Sequence, residues 1–178
     1  VHYVLSLSRN FIASILPNFV VFEGGGHPWH GLPSWGHLYL SVYVLGLFGI
    51  LKSALSVLKS VWVRRQLQLT DTTLLYLLII GLGPAVVTVD APHATRSLWF
   101  FLMWLIFAAT AIKDLITHFY GMKRLAISSM IMILLMTSTT HYVYDYLYHY
   151  PKNYPFALQI GLDEAVREIE TSYPDATV

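Results

Sequence analysis

Four long stretches of this chain are apolar, and segments within them are apolar on every side. A helix of that kind belongs either in a lipid bilayer or buried inside a bundle. The stretches run about His37–Leu58, Leu74–Val89, Ser97–Ile112 and Leu125–Thr139, the last extending toward Leu147. Segments such as LLYLLIIGLG and LWFFLMWLIFAA leave no polar face to turn toward water. A bilayer crossing takes roughly 20 apolar residues. The two central stretches reach that length with flanking residues such as Leu67, Leu69 and Ile116, and no Lys or Arg occurs between Gln66 and Thr95. Charge decides between the two homes. Only 12% of the 178 residues are charged and 56% are hydrophobic, whereas a soluble domain carries about 25% charge. The expectation is an all-α integral membrane protein with about four transmembrane helices, in contact with a lipid bilayer.

The few charges give an orientation. Lys52, Lys59, Arg64 and Arg65 follow the first stretch, and Lys113, Lys123 and Arg124 follow the third, with only Asp71 and Asp114 as acids on that side. The opposite side holds Arg9, Arg96, Lys152 and Arg167 against eight acids. Basic loops stay cytoplasmic, so both termini are expected outside. The layout is then an extracytoplasmic loop over 1–36, a four-helix transmembrane region over 37–147, and the start of an extracytoplasmic soluble segment over 148–178. A multi-pass protein of the cell membrane is implied. A net charge of +1 gives no electrostatic case for nucleic acid. The absence of cysteine excludes disulfides, thiolate zinc sites and cysteine nucleophiles.

Val1–Leu7 lacks the basic start and cleavage site of a signal peptide. The segment Tyr173–Val178 reads as the lead-in to a strand. The chain is therefore expected to be an internal piece of a longer protein. Gly81, Gly83 and Pro84 interrupt the second stretch, where the missing donor of Pro84 should kink a helix. Tyr142, Tyr144, Tyr146, Tyr148 and Tyr150 suit an interfacial belt at the end of the fourth. Phe156–Glu170 carries a modest helical pattern, with Asp163 and Arg167 spaced as an i,i+4 pair.

Two outer stretches hold the groups that can carry chemistry. In the first, Gly24, Gly25 and Gly26 precede His27, His30 and His37. Consecutive glycines let a backbone approach a ligand closely. The histidines read as ordinary interfacial loop residues, as a substrate contact through His30, or as metal ligands. Nothing in the spacing fixes a metal geometry, so no metal and no other cofactor is assigned. The run Pro33-Ser34-Trp35-Gly36-His37 approximates the Pro-Ser-Gly-His element of membrane lipid phosphatases, but it carries an inserted Trp and lacks their downstream Arg and His. No Gly-x-Ser-x-Gly elbow for a serine hydrolase occurs either. The second stretch is Asp90-Ala91-Pro92-His93-Ala94-Thr95-Arg96. His93 and Arg96, three apart at a helix start, form either a phosphate cradle or a plain loop in which Arg96 pairs with Asp90 or meets lipid headgroups.

Taken in order, these stretches resemble a family. Phe22-Glu23-Gly24-Gly25-Gly26-His27-Pro28-Trp29-His30, then Gly36 and Leu38-Tyr39, is similar to an outer-loop motif of GT-C membrane glycosyltransferases of the protein-mannosyltransferase-like type. Pro92-His93-Ala94-Thr95-Arg96-Ser97 resembles their Pro-His-Ala-x-Arg element. Tyr150-Pro151-Lys152, Ala157–Gly161 and Glu164-Ala165 resemble the segment linking their last helix to an outer domain. The resemblance covers nearly the whole chain. It implies transfer of a sugar from a polyprenyl-phosphate donor to a protein, lipid or glycan acceptor on the outer side. His30, His93 and Arg96 match motif positions and would contact substrate, Arg96 at the donor phosphate. Gly25 stands where the family has Asp, and Trp29 where it has Arg. The family's catalytic carboxylate lies in a first outer loop that would precede Val1, and Glu23 is not its equivalent, so the chain alone is expected to be inactive. The alternative is a non-catalytic multi-pass subunit or scaffold whose outer loops bind a partner.

Overall fold

A computed structural model describes residues 2–24, 32, 35–63, 68–88, 91–154, 162, 166–168 and 171. All regular structure among them is helical: α1 (His2–Ile15), α2 (Leu40–Trp62), α3 (Leu69–Val87), α4 (Leu98–His118), α5 (Gly121–Tyr144) and a short α6 (Tyr150–Asn153). Four helical segments, Leu40–Trp62, Leu69–Val87, Thr95–His118 and Gly121–Asn153, are long and apolar enough to cross a membrane. The all-α membrane fold is therefore present. The chain divides into two units, Val1–Ser138 and Thr139–Val178.

The first unit is organised by the seam between α2 and α4. Buried positions on α2 fall at Val42, Gly46, Gly49 and Ser53, a 4-3-4 spacing that keeps one stripe on one side of the helix. Buried positions on α4 include Phe100, Trp104, Phe107 and Ala111. Small residues on one helix receive large rings from the other. A Cβ on Gly46 would collide with the Trp104 indole, and one on Gly49 with the Phe107 backbone carbonyl. Close approach of this kind is what joins helices in lipid, where hydrophobicity alone gives no drive to associate. The Trp104 indole stacks on Tyr43, centroids 5.0 Å apart, and its Nε1–H donates to the Tyr43 carbonyl at 3.1 Å. Further along, Lys52 pairs with Asp114. Residue numbers rise together along this seam, so α2 and α4 run parallel, as one intervening crossing requires.

That crossing is α3. It continues through Pro84 to Val87 with Ala85 fully buried. Gly81 lets α4 approach closely, since a Cβ there would stand 3.0 Å from the Phe100 nitrogen. At its first turn Asp71 accepts a 3.0 Å hydrogen bond from the Ser53 hydroxyl, and Gln68 accepts one at 3.3 Å from Ser56. The turn between α4 and α5 is only Phe119 and Tyr120, and it is possible because Gly121 takes φ = +56°. Lys52 and Lys59 lie inside α2 and Lys113 inside α4. These three residues, expected in loops, are thus carried within helices, where long side chains can run along apolar surface toward water, while Arg64 and Arg65 lie outside the described residues.

The stretch expected as a loop over 1–36 begins instead with helix. α1 is followed by a π-helical turn, Asn18–Glu23, closed by Gly24 at φ = +61°, whose N–H donates to the Phe19 carbonyl at 3.2 Å. Fourteen residues span about 21 Å at 1.5 Å each, too short to cross a bilayer. Leu7, Asn10 and Ser14 face the other helices of this unit, while Val4, Leu5, Phe11 and Ile12 are exposed. The π turn pins the start of α2: Gly36 donates to Val21 O at 2.7 Å, and His37 and Leu38 to Val20 O at 2.8 and 3.0 Å.

In the second unit the tyrosine belt is a ladder at i,i+4 spacing. Tyr142, Tyr146, Tyr150 and Tyr154 follow one another with ring centroids 6.3, 5.8 and 5.7 Å apart. A π-helical turn, Asp145–His149, lies within it. Of the tail helix expected over 156–170, only Leu162 and 166–168 are described, each helical; Asp163 lies outside the described residues, so its pairing with Arg167 does too.

Candidate functional site

The Pro-His-Ala-x-Arg element stands at the head of a membrane-spanning helix. Thr95–Ser97 forms a 3₁₀ turn that runs directly into α4. Its buried residues are Ala94 and Ser97, one turn apart, which is the spacing that eclipses in a 3₁₀ helix. Ser97 anchors the turn twice on the His93 carbonyl, through its backbone N–H at 3.1 Å and its hydroxyl at 2.9 Å. This leaves Arg96 exposed and His93 half-buried. The His93 Nδ1 shares a 3.0 Å hydrogen bond with the Thr95 hydroxyl, which fixes the ring's rotation. The turn therefore places Arg96 at the surface, with an oriented imidazole beside it.

Of the three residues assigned to substrate by motif, the structure describes His93 and Arg96. His30 lies outside the described residues, as do His27 and Asp90. Among the described residues no group of three metal-ligating side chains assembles; His27 and His30, weighed above as ligands, lie outside them. His37 packs between rings, 5.4 Å from Phe19 and 4.6 Å from Phe101, and so belongs to the packing that holds the π turn on α4.

Two cavities flank α1, and sequence reasoning identified neither. The first, about 490 Å³, opens between α1 and the end of α3, where Pro92 also lines it. Arg9 and Asn10 of α1 face it, as does Thr88. The Asn10 side-chain amide donates to the carbonyls of Val86 and Thr88 at 3.0 and 3.1 Å. It thereby satisfies carbonyls at the C-terminus of α3 that have no helical partner. The second, about 280 Å³, is an apolar groove among α1, α2, α3 and α4, lined by Phe11, Ile15, Leu47, Leu78 and Trp104 among others. Arg9 and Asn10 lie some eighty positions before Pro92 in the chain, so no local pattern could have joined them to it.

In the second unit, Asp145 is flanked one helical turn away on each side. His149 Nδ1 lies 2.8 Å from its carboxylate and His141 Nε2 lies 3.6 Å away. The i,i+4 spacing of His141, Asp145 and His149 was the available signal, hidden among tyrosines that read as a belt.

The chain matches no family model, no curated protein and no solved structure.

Proposed function

We propose that this chain is membrane machinery of a glycosyltransferase that moves a sugar from a polyprenyl-phosphate donor to an acceptor on the extracytoplasmic side. The observation that carries the reading is the Pro92–Ser97 turn. A motif proposed to grip a lipid-borne phosphate lies at the mouth of a spanning helix, with Arg96 exposed and His93 held in register. Bilayer-borne substrates reach that level without leaving the membrane. In the proposed reaction an acceptor hydroxyl attacks the anomeric carbon and the bond from that carbon to the phosphate oxygen breaks. A carboxylate outside this chain takes the hydroxyl proton. Arg96 stabilises the charge that develops on the departing polyprenyl phosphate, a role suited to a permanently charged planar guanidinium. The apolar groove beneath α1 is compatible with an isoprenoid chain.

The test uses the longest natural protein that contains these residues. Transfer of labelled sugar from a polyprenyl-phosphate donor should fall about a hundredfold or more in Arg96→Ala, the range seen when a donor to developing negative charge is lost. His93→Ala should lose less, because His93 is half-buried and orients locally. Unchanged kinetics in Arg96→Ala would remove it from the site. One observation favours the scaffold reading: of α5, only Ile131 is buried, which leaves a long apolar surface for lipid or a partner helix. No sugar transfer by the wild-type protein, with a partner retained through its outer loops, would favour that reading.

A further inference from the structure

The cavity between α1 and the end of α3 has an unusual set of groups for a chain with so few charges. Arg9 is one of eleven basic residues in the protein, and among the described residues it makes no ion pair. It lies on the helical flank that carries Ser6 and Ala13, and all three line a space of about 490 Å³. The donors around that space can be accounted for one by one. The Asn10 amide is spent on the Val86 and Thr88 carbonyls. The Ser6 hydroxyl donates to the His2 carbonyl and the Thr88 hydroxyl to the Ala85 carbonyl, at 3.0 and 3.1 Å. The other described lining residues with side-chain donors are Arg9 and Tyr3, both exposed. A forked cation beside one hydroxyl donor, with no carboxylate among the described lining residues, offers the donors that a phosphate accepts from.

The same helix indicates where that phosphate comes from. Opposite its buried face α1 exposes Val4, Leu5 and Ile12, at 65, 61 and 53%. A short helix with an apolar exposed face and a polar flank lies in the headgroup layer of a bilayer. A cavity at that depth would meet headgroups. We propose that the α1–α3 cavity binds the phosphodiester of an anionic membrane lipid, with Arg9 as its cation and α1 as the helix that reads the headgroup layer. This does not require glycosyl transfer, and a chain that failed as a transferase would still bind lipid here.

The test is native mass spectrometry of the full chain released from nanodiscs of phosphatidylglycerol or of phosphatidylcholine. The wild-type protein is expected to retain phosphatidylglycerol and to retain phosphatidylcholine poorly. Arg9→Gln should lower phosphatidylglycerol retention about tenfold, the loss expected for one charge-assisted contact. Arg9→Lys should keep part of it. Ser6→Phe leaves Arg9 in place but fills the cavity, and should also abolish retention; Ser6 is exposed, so the substitution does not disturb the core. Equal retention in wild type, Arg9→Gln and Ser6→Phe would overturn the proposal. So would complete displacement of the lipid by inorganic phosphate, which would make the cavity a free-anion site. An unchanged phosphatidylglycerol level on adding inorganic phosphate supports the lipid assignment.

Discussion

Helices α4 and α5 are both apolar enough to cross a membrane, yet a third of the α4 segment is buried and only 6% of the α5 segment. Hydrophobicity does not explain the difference. What α4 has is a partner shaped for it: Gly46 and Gly49 on α2 clear space for Trp104 and the Phe107 backbone, and Gly81 on α3 does the same for Phe100. α5 has Ile131 buried and Leu135 half-packed against the core. In a bilayer, lipid chains satisfy an apolar surface as well as a neighbouring helix does. Packing there follows small residues, complementary rings and a few polar ties, and those are concentrated where α2 and α3 meet α4.

The contrast predicts a graded series, read as thermal midpoints of the purified protein in one detergent. Gly49→Leu should have the largest effect, above the roughly 3 kcal/mol of ordinary overpacking, because the obstacle is the Phe107 backbone and cannot swing aside. Trp104→Ala should follow at about 3 kcal/mol, losing the Tyr43 stack and the indole hydrogen bond. Lys52→Ala should cost about 0.5 kcal/mol, since the Lys52–Asp114 pair is solvent-accessible on both sides. Ile133→Ala, on the exposed face of α5, should change the midpoint least, within about 0.5 kcal/mol. If Ile133→Ala ranked with Trp104→Ala, α5 would be a packed element and the comparison would fail. Gly49→Leu with a wild-type midpoint would show that the α2–α4 seam is not where the unit is held together.

The spanning helices were legible because LLYLLIIGLG and LWFFLMWLIFAA are apolar on all faces, a pattern with few alternative homes. Their ends were less so. α2 runs to Trp62 and α4 to His118, carrying Lys59 and Lys113 inside helices, because a helix does not stop where the hydrocarbon stops. α1 was missed outright: Ser6, Ser8, Arg9 and Asn10 break the apolar run, and a helix of this length that does not cross needs only one apolar face. The π turns have no local signature here. At the site, the local motif marked His93 and Arg96, and the 3₁₀ turn positions both. Arg9 and Asn10 could not be read in the same way, because only the packing of α1 against the end of α3 brings them to the Pro92 end of that helix.

The proposal that the Arg9, His93 and Arg96 end is the outward working face can be tested directly, because the chain contains no cysteine. Single cysteines at Thr95 and at Lys59, both exposed, would be labelled with a membrane-impermeant maleimide on intact cells. Labelling of Thr95→Cys before permeabilisation, and of Lys59→Cys only after it, is the expected result. The reverse pattern would place the Pro92–Ser97 turn in the cytoplasm and contradict the proposed function.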